Sequence, residues 1–76
     1  MNPVKFVRAR CLYSTHRDFI PGEVYRLNYK FSGRFADYYE SYNELYAVRC
    51  KDSGVIYIES PNRIFAVFEV IQECTA

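Results

Sequence analysis

The stretch Val48-Arg49-Cys50-Lys51-Asp52-Ser53-Gly54-Val55-Ile56-Tyr57-Ile58 limits the possible folds more than any other. It reads as two strands joined by a tight turn. Asp52-Ser53-Gly54 supplies the turn, because glycine tolerates positive φ and aspartate bonds its own nearby backbone. The flanking runs are β-branched and aromatic, side chains that suit a pleated, half-buried surface. The residues before this hairpin read as strands that wrap around it, and those after it as the strand that closes the sheet. The expected result is a small all-β barrel.

The rest of the chain supports that expectation. From Val7, apolar Val7, Ala9, Cys11 and Tyr13 alternate with Arg8 and Arg10, the period of a strand with one buried side. Phe6 breaks parity next to Val7, so a bulge or strand start is expected there. Residues 14–23 form a long connection punctuated by Pro21-Gly22, with Phe19 and Ile20 folding back onto the core. A second strand spans 24–31, with Tyr25, Leu27, Tyr29 and Phe31 on one face. Residues 32–43 read either as a single helical turn, from the spacing of Phe35, Tyr38, Tyr39 and Tyr42, or as a long loop. A third strand covers 44–50 and a fourth 55–59. Pro61-Asn62-Arg63 suits a 3₁₀ turn, since proline cannot donate to a ladder. A fifth strand covers 64–70. The single domain is 1–76, with frayed ends expected at 1–3 and 72–76.

A chain of 76 residues must pack a dense core. Eight tyrosines, six phenylalanines and no tryptophan supply it. Tyrosine carries a polar tip and favours positions with one wet side, so some of these rings belong at the surface. The net charge is only +1, so bulk charge argues neither for DNA binding nor for nucleic-acid mimicry, and binding through phosphates wants a clearer positive excess. Its distribution is uneven: residues 1–36 hold seven Lys/Arg and two acids, whereas 37–76 hold three Lys/Arg and seven acids. Such a dipole could steer a charged partner. The plainer expectation is solvated strand faces. The three cysteines, Cys11, Cys50 and Cys74, form no CxxC pair. Zinc is not expected, and a reducing cytoplasm is the simpler setting. Cys11 and Cys50 read as small core residues, and Cys74 as exposed in a tail. No secretory signal or membrane span is read.

Candidate chemistry is sparse. His16, the one histidine, has only Asp18 nearby and reads as a loop residue rather than a catalytic base. No nucleophile set, phosphate-cradling glycine loop or metal spacing is present, so neither a catalytic site nor a cofactor is expected. Two binding surfaces remain. Arg34, Phe35, Asp37, Tyr38, Tyr39, Glu40 and Tyr42 have the tyrosine- and arginine-rich composition of interface centres. Phe35 and one tyrosine are expected to plug the barrel mouth, leaving the other rings exposed for a protein partner. Alternatively, Arg8, Arg10, Arg26 and Lys30 on the outward faces of the first two strands could bind single-stranded nucleic acid, with Tyr38, Tyr39 and Tyr42 stacking on bases. Asp37, Glu40 and Glu44 would repel phosphates there. The expected state is a monomer, or a weak homodimer joined through a strand edge.

The order of strands and turns looks like an SH3-like barrel of five strands. It also resembles a diffuse set of small phage-encoded proteins. The matching pieces are Arg10-Cys11, Pro21-Gly22-Glu23-Val24-Tyr25, Tyr46-Ala47-Val48, Gly54-Val55-Ile56-Tyr57 and Phe65-Ala66-Val67-Phe68. The resemblance implies inhibition or redirection of a larger bacterial complex in the host cytoplasm, such as host RNA polymerase or the CRISPR interference complex. The chain lacks the tryptophan and the acidic first loop of peptide-binding SH3 domains, so polyproline binding is not expected.

Overall fold

Alternation in the first strand decides how the sheet curls. Val7, Ala9 and Cys11 are buried while Arg8, Arg10 and Leu12 face out, so one side of the strand must be enclosed. The computed structural model describes residues 4–75 and encloses that side by closing the sheet on itself. The strands are β1 (Phe6–Ser14), β2 (Val24–Ser32), β3 (Ala36–Glu40), β4 (Tyr46–Cys50), β5 (Val55–Ser60) and β6 (Arg63–Cys74). Each pairs antiparallel with the next, and β6 pairs with β1. Among the described residues there is no helix, and none is therefore long and apolar enough to cross a membrane.

The barrel has six strands rather than five. The extra one, β3, lies within residues 32–43, where a helical turn or a loop was expected. A single helical turn would leave most of its backbone groups without partners. As a strand, Ala36–Glu40 pairs with β2 on one side and β4 on the other. The three- and four-residue ring spacing that suggested a helix is incidental. Only Tyr39 among those rings enters the core.

The inner faces of all six strands meet in one core. Val7, Leu27, Tyr39, Ala47, Ile56, Ile58, Ala66 and Phe68 point inward with Cys11 and Phe19. Burying each large side chain contributes about 1.5–3 kcal/mol. Cys11 is a core residue as expected, and burial pushes its thiol pKa up despite a bond to the Tyr13 carbonyl. Cys50 is exposed, on the outward parity of β4. Cys74 is half-buried within β6 rather than in a tail.

Bulges account for most of the misplaced residues. The β1–β6 register shifts between Cys11 and Tyr13, which turns Tyr13 outward instead of continuing the inner face. The β2–β3 register shifts between Tyr29 and Phe31, and Phe31 is likewise turned out. The last strand does not fray at 72–74: Gln72, Glu73 and Cys74 pair with Arg8, Val7 and Phe6. The expected frayed segment 1–3 and residue 76 lie outside the described residues.

Turn chemistry also differs from expectation. In the β4–β5 connection Asp52, not Gly54, takes the left-handed conformation (φ 63°). That hairpin is held by a single ladder pair, Val48↔Tyr57. It is therefore the thinnest seam of the barrel rather than its organiser. Pro61-Asn62 forms a two-residue hairpin turn between paired Ser60 and Arg63, not a 3₁₀ turn. Gly22 is where glycine is required, because its φ of 94° is one that residues with a side chain rarely adopt; its amide donates to the Cys11 carbonyl (2.8 Å). Cys11 in turn donates to the Glu23 carbonyl (2.9 Å), so the loop before β2 completes the pairing of upper β1. Among the described residues every strand is paired on both sides.

Candidate functional site

The seven residues expected to form one contact loop are dispersed by β3. Arg34 and Phe35 sit at the tip of the β2–β3 hairpin, where the Gly33 amide bonds the Ala36 carbonyl (2.7 Å). Phe35 is 76% exposed and plugs nothing; the ring that enters the barrel is Tyr39, at 2%. Tyr38 and Glu40 face outward, and Asp37 faces one end of the barrel. Tyr42 lies at the opposite end, stacked on Tyr25 (6.1 Å, 7° between planes), and its hydroxyl donates to the Asp18 carbonyl (2.7 Å). Tyr39 and Asp37 are thus structural, and the expected acidic-aromatic patch does not exist as a single surface.

A different surface replaces it. On the outside of the barrel, successive cross-strand pairs link Phe31↔Tyr38, Tyr38↔Val48, Val48↔Tyr57, Tyr57↔Val67 and Val67↔Tyr13. Directly opposed side chains share a face, so these six residues form an oblique apolar band crossing all six strands. Phe31 stacks on Tyr38 (centroids 4.7 Å apart, 19°), and Tyr46 meets Phe31 edge-on (6.4 Å). Phe31, Tyr46 and Tyr13 are each about half exposed. Leu12 and Ile64 add further exposed apolar area. A contiguous outward band of rings on a small barrel is the usual mark of an interaction face. One signal for it was present in the sequence. Apolar residues on both parities of residues 55–59 and 64–70 require that one set face outward, once the core is filled.

The basic face is narrower than expected. Arg10 pairs with Glu69 (3.7 Å) and Lys30 with Glu40 (3.5 Å). Arg26 lies over the Phe6 ring (3.8 Å) and its Nε donates to Asn28 Oδ1 (2.9 Å). Arg8 stands directly across from Arg26. The sequence dipole does not survive folding as a dipole. Closure sets β6 beside β1, so Arg10–Glu69 joins the basic half to the acidic half, as Lys30–Glu40 does between β2 and β3, while Arg49–Glu73 and Lys51–Asp37 pair charges within the acidic half.

The two ends of the barrel are built differently. At one, a cavity of about 240 Å³ is lined by Val4, Tyr29, Asp37, Tyr39, Arg49, Asp52 and Glu73. Arg49 is the inward-facing charge of β4. Its Nη1 donates to Glu73 Oε1 (2.8 Å) and to the Tyr39 hydroxyl (3.2 Å), and its Nε to the Ser53 carbonyl (2.5 Å). Burial alone would lower the Arg49 pKa, but its bonds to Glu73 and Tyr39 outweigh burial and raise it. Burial alone would raise the Asp37 pKa. Hydrogen bonds from Lys51 and Ser32, with the charges of Lys51 and Arg49, outweigh it and hold the carboxyl below its ordinary value. Lys51 Nζ also bonds Ser32 Oγ. Of the four charged lining residues, Asp37, Arg49 and Glu73 are committed to one another or to Lys51, and Asp52 is the fourth.

At the other end Phe19 is buried against Tyr25, Tyr42, Phe68 and His16, with ring centroids 5.2–5.9 Å apart. His16 Nδ1 accepts from the Asp18 amide (3.1 Å) and lies 3.8 Å from Asp18 Oδ2. Its ring also meets Phe65 edge-on (6.5 Å). The histidine is part of the loop's packing. Among the described residues no group of three or more His, Cys, Asp or Glu is placed to hold a metal ion. Comparison of the chain with protein-family models, curated proteins and solved structures gives no match in any of the three.

Proposed function

We propose that the protein is a non-enzymatic protein-binding module whose contact face is the outer aromatic band, centred on Phe31, Tyr38 and Tyr46. The supporting observation is the half-exposed Phe31 stacked on the partly buried Tyr38, with half-exposed Tyr46 edge-on to Phe31. These rings lie outside a core that is already complete without them. Rings held rigid by one another bind at low entropic cost and serve as anchors when a partner buries them. Phe35 and Arg34 at the adjacent hairpin tip extend the face. The resemblance to SH3-like barrels and small phage proteins supplies the class of partner: a larger bacterial protein complex, such as RNA polymerase or a CRISPR interference complex, inhibited or redirected in the host cytoplasm. Polynucleotide binding fits less well, because acids neutralise Arg10 and Lys30 and leave too short a basic track for multiple phosphate contacts.

Site-specific photo-crosslinking tests this. A benzophenone amino acid at position 46 should capture a discrete protein species from bacterial extract. Excess unmodified protein should compete it away, and the same group at position 17 should not capture it. Equal capture from both positions, no capture, or an adduct sensitive to nuclease would overturn the proposal.

A further inference from the structure

The outer face of β1 and β2 holds a like-charge pair that folding does not explain. Arg8 and Arg26 are direct cross-strand partners. Like charges placed opposite one another destabilise a sheet. The neighbouring cations are each matched, Arg10 to Glu69 and Lys30 to Glu40. Among the described residues Arg8 and Arg26 have no ion-pair partner, and the residue flanking Arg8 on β6 is the neutral Gln72. Arg26 is also held in place. Its guanidinium rests on the Phe6 ring at 3.8 Å and its Nε is fixed by Asn28. Two exposed guanidinium-bearing side chains with no acid between them therefore share one face of the β1–β2 pair, and guanidinium is the cation that binds a carboxylate through two N–H groups.

We infer that Arg8 and Arg26 form an anion clamp for a carboxylate side chain on a protein partner. This rests on the protein-binding reading and adds the chemistry of one contact. The extent of the positive charge selects the occupant. A nucleic-acid strand needs a run of phosphate contacts, and here the run stops after two arginines because Glu69 and Glu40 close it on either side. A lone acidic side chain needs no more than two forks.

The trade between stability and binding makes the clamp testable. Arg8→Glu replaces repulsion with a cross-strand ion pair to Arg26. It should raise the thermal midpoint by about 1–5 °C. It should also abolish binding of a deca-glutamate peptide, followed at the arginine Nε–H resonances of the intact protein. The unmodified protein should show saturable shifts at Arg8 and Arg26 with that peptide, weakening as salt rises. Three outcomes would overturn the inference: a lowered midpoint in Arg8→Glu, no shift at Arg8 and Arg26 with the peptide, or stronger shifts with a dT10 oligonucleotide than with the peptide. The test needs no cellular partner. Failure of the clamp therefore leaves the crosslinking result at position 46 intact, and failure at position 46 leaves the clamp measurement intact.

Discussion

The two ends of this barrel solve one problem with opposite chemistry. Where β1 ends and β2 begins, the loop carrying Phe19 folds over the opening and closes it with rings. Where β4 ends and β6 finishes, Arg49 closes it with hydrogen bonds to Tyr39, Glu73 and the Ser53 carbonyl. Apolar contact is non-directional, so at the aromatic end four rings can close around Phe19 from different directions. Hydrogen-bonded groups must keep their geometry, and the ionic end retains a cavity of about 240 Å³. A barrel this small cannot fill both ends from a single run of apolar residues, and an inward arginine with a full set of acceptors serves in place of another ring.

The largest expected effect that would sharpen this contrast is at the aromatic end. Phe19→Ala should cost about 3–5 kcal/mol in urea unfolding, because it empties a site walled by four rings. Arg49→Met should cost less, about 1–3 kcal/mol, by leaving the buried Tyr39 hydroxyl without its charged partner. If Arg49→Met proves the more damaging, the ionic end is the true keystone and the contrast is inverted. Turn strain offers a gain at each end. Glu44, at the aromatic end, holds φ 67° with a long side chain, and Glu44→Gly should stabilise by ~1 kcal/mol. Asp52, at the ionic end, holds φ 63°, and Asp52→Gly should gain less, since aspartate tolerates that region.

The smallest effect separates the ends by acid. Asp37 has a folded pKa below its unfolded value. Its contribution is therefore present above the unfolded pKa of about 3.8 and is lost as pH falls through the folded one. Asp37→Asn should be less stable than the natural protein at pH 7, with the difference closing below about pH 4. A difference that is constant with pH would show that the Lys51–Asp37 contact contributes no charge effect.

Much of the barrel was legible because alternation is a direct imprint of burial. Val7, Ala9 and Cys11 could be assigned to the core from period alone, and so could Tyr25, Leu27 and Tyr29 on β2. Bulges erase that imprint locally. Tyr13 and Phe31 keep the right parity in sequence yet face out, because an extra residue shifts the register before each. Strand β3 was hidden for another reason. Its Asp37-Tyr38-Tyr39-Glu40 sequence is polar and aromatic rather than β-branched, and its partners lie on two other strands. The candidate face shared this limit. Surplus rings were countable from composition, but which rings are surplus depends on cross-strand register. Nothing in the sequence around Arg49 says that a strand charge should point in; its acceptors on Tyr39, Glu73 and Ser53 come together only at the closed end of the barrel.

The most direct test is the double variant Phe31→Ser/Tyr46→Ser, measured for both stability and crosslinking from position 57. If the outer rings are there for a partner, unfolding free energy should fall by only about 1–3 kcal/mol, as expected of two half-buried side chains, leaving the protein folded, while capture is lost. Collapse of the fold, or capture that persists unchanged, would contradict the contact role assigned to them.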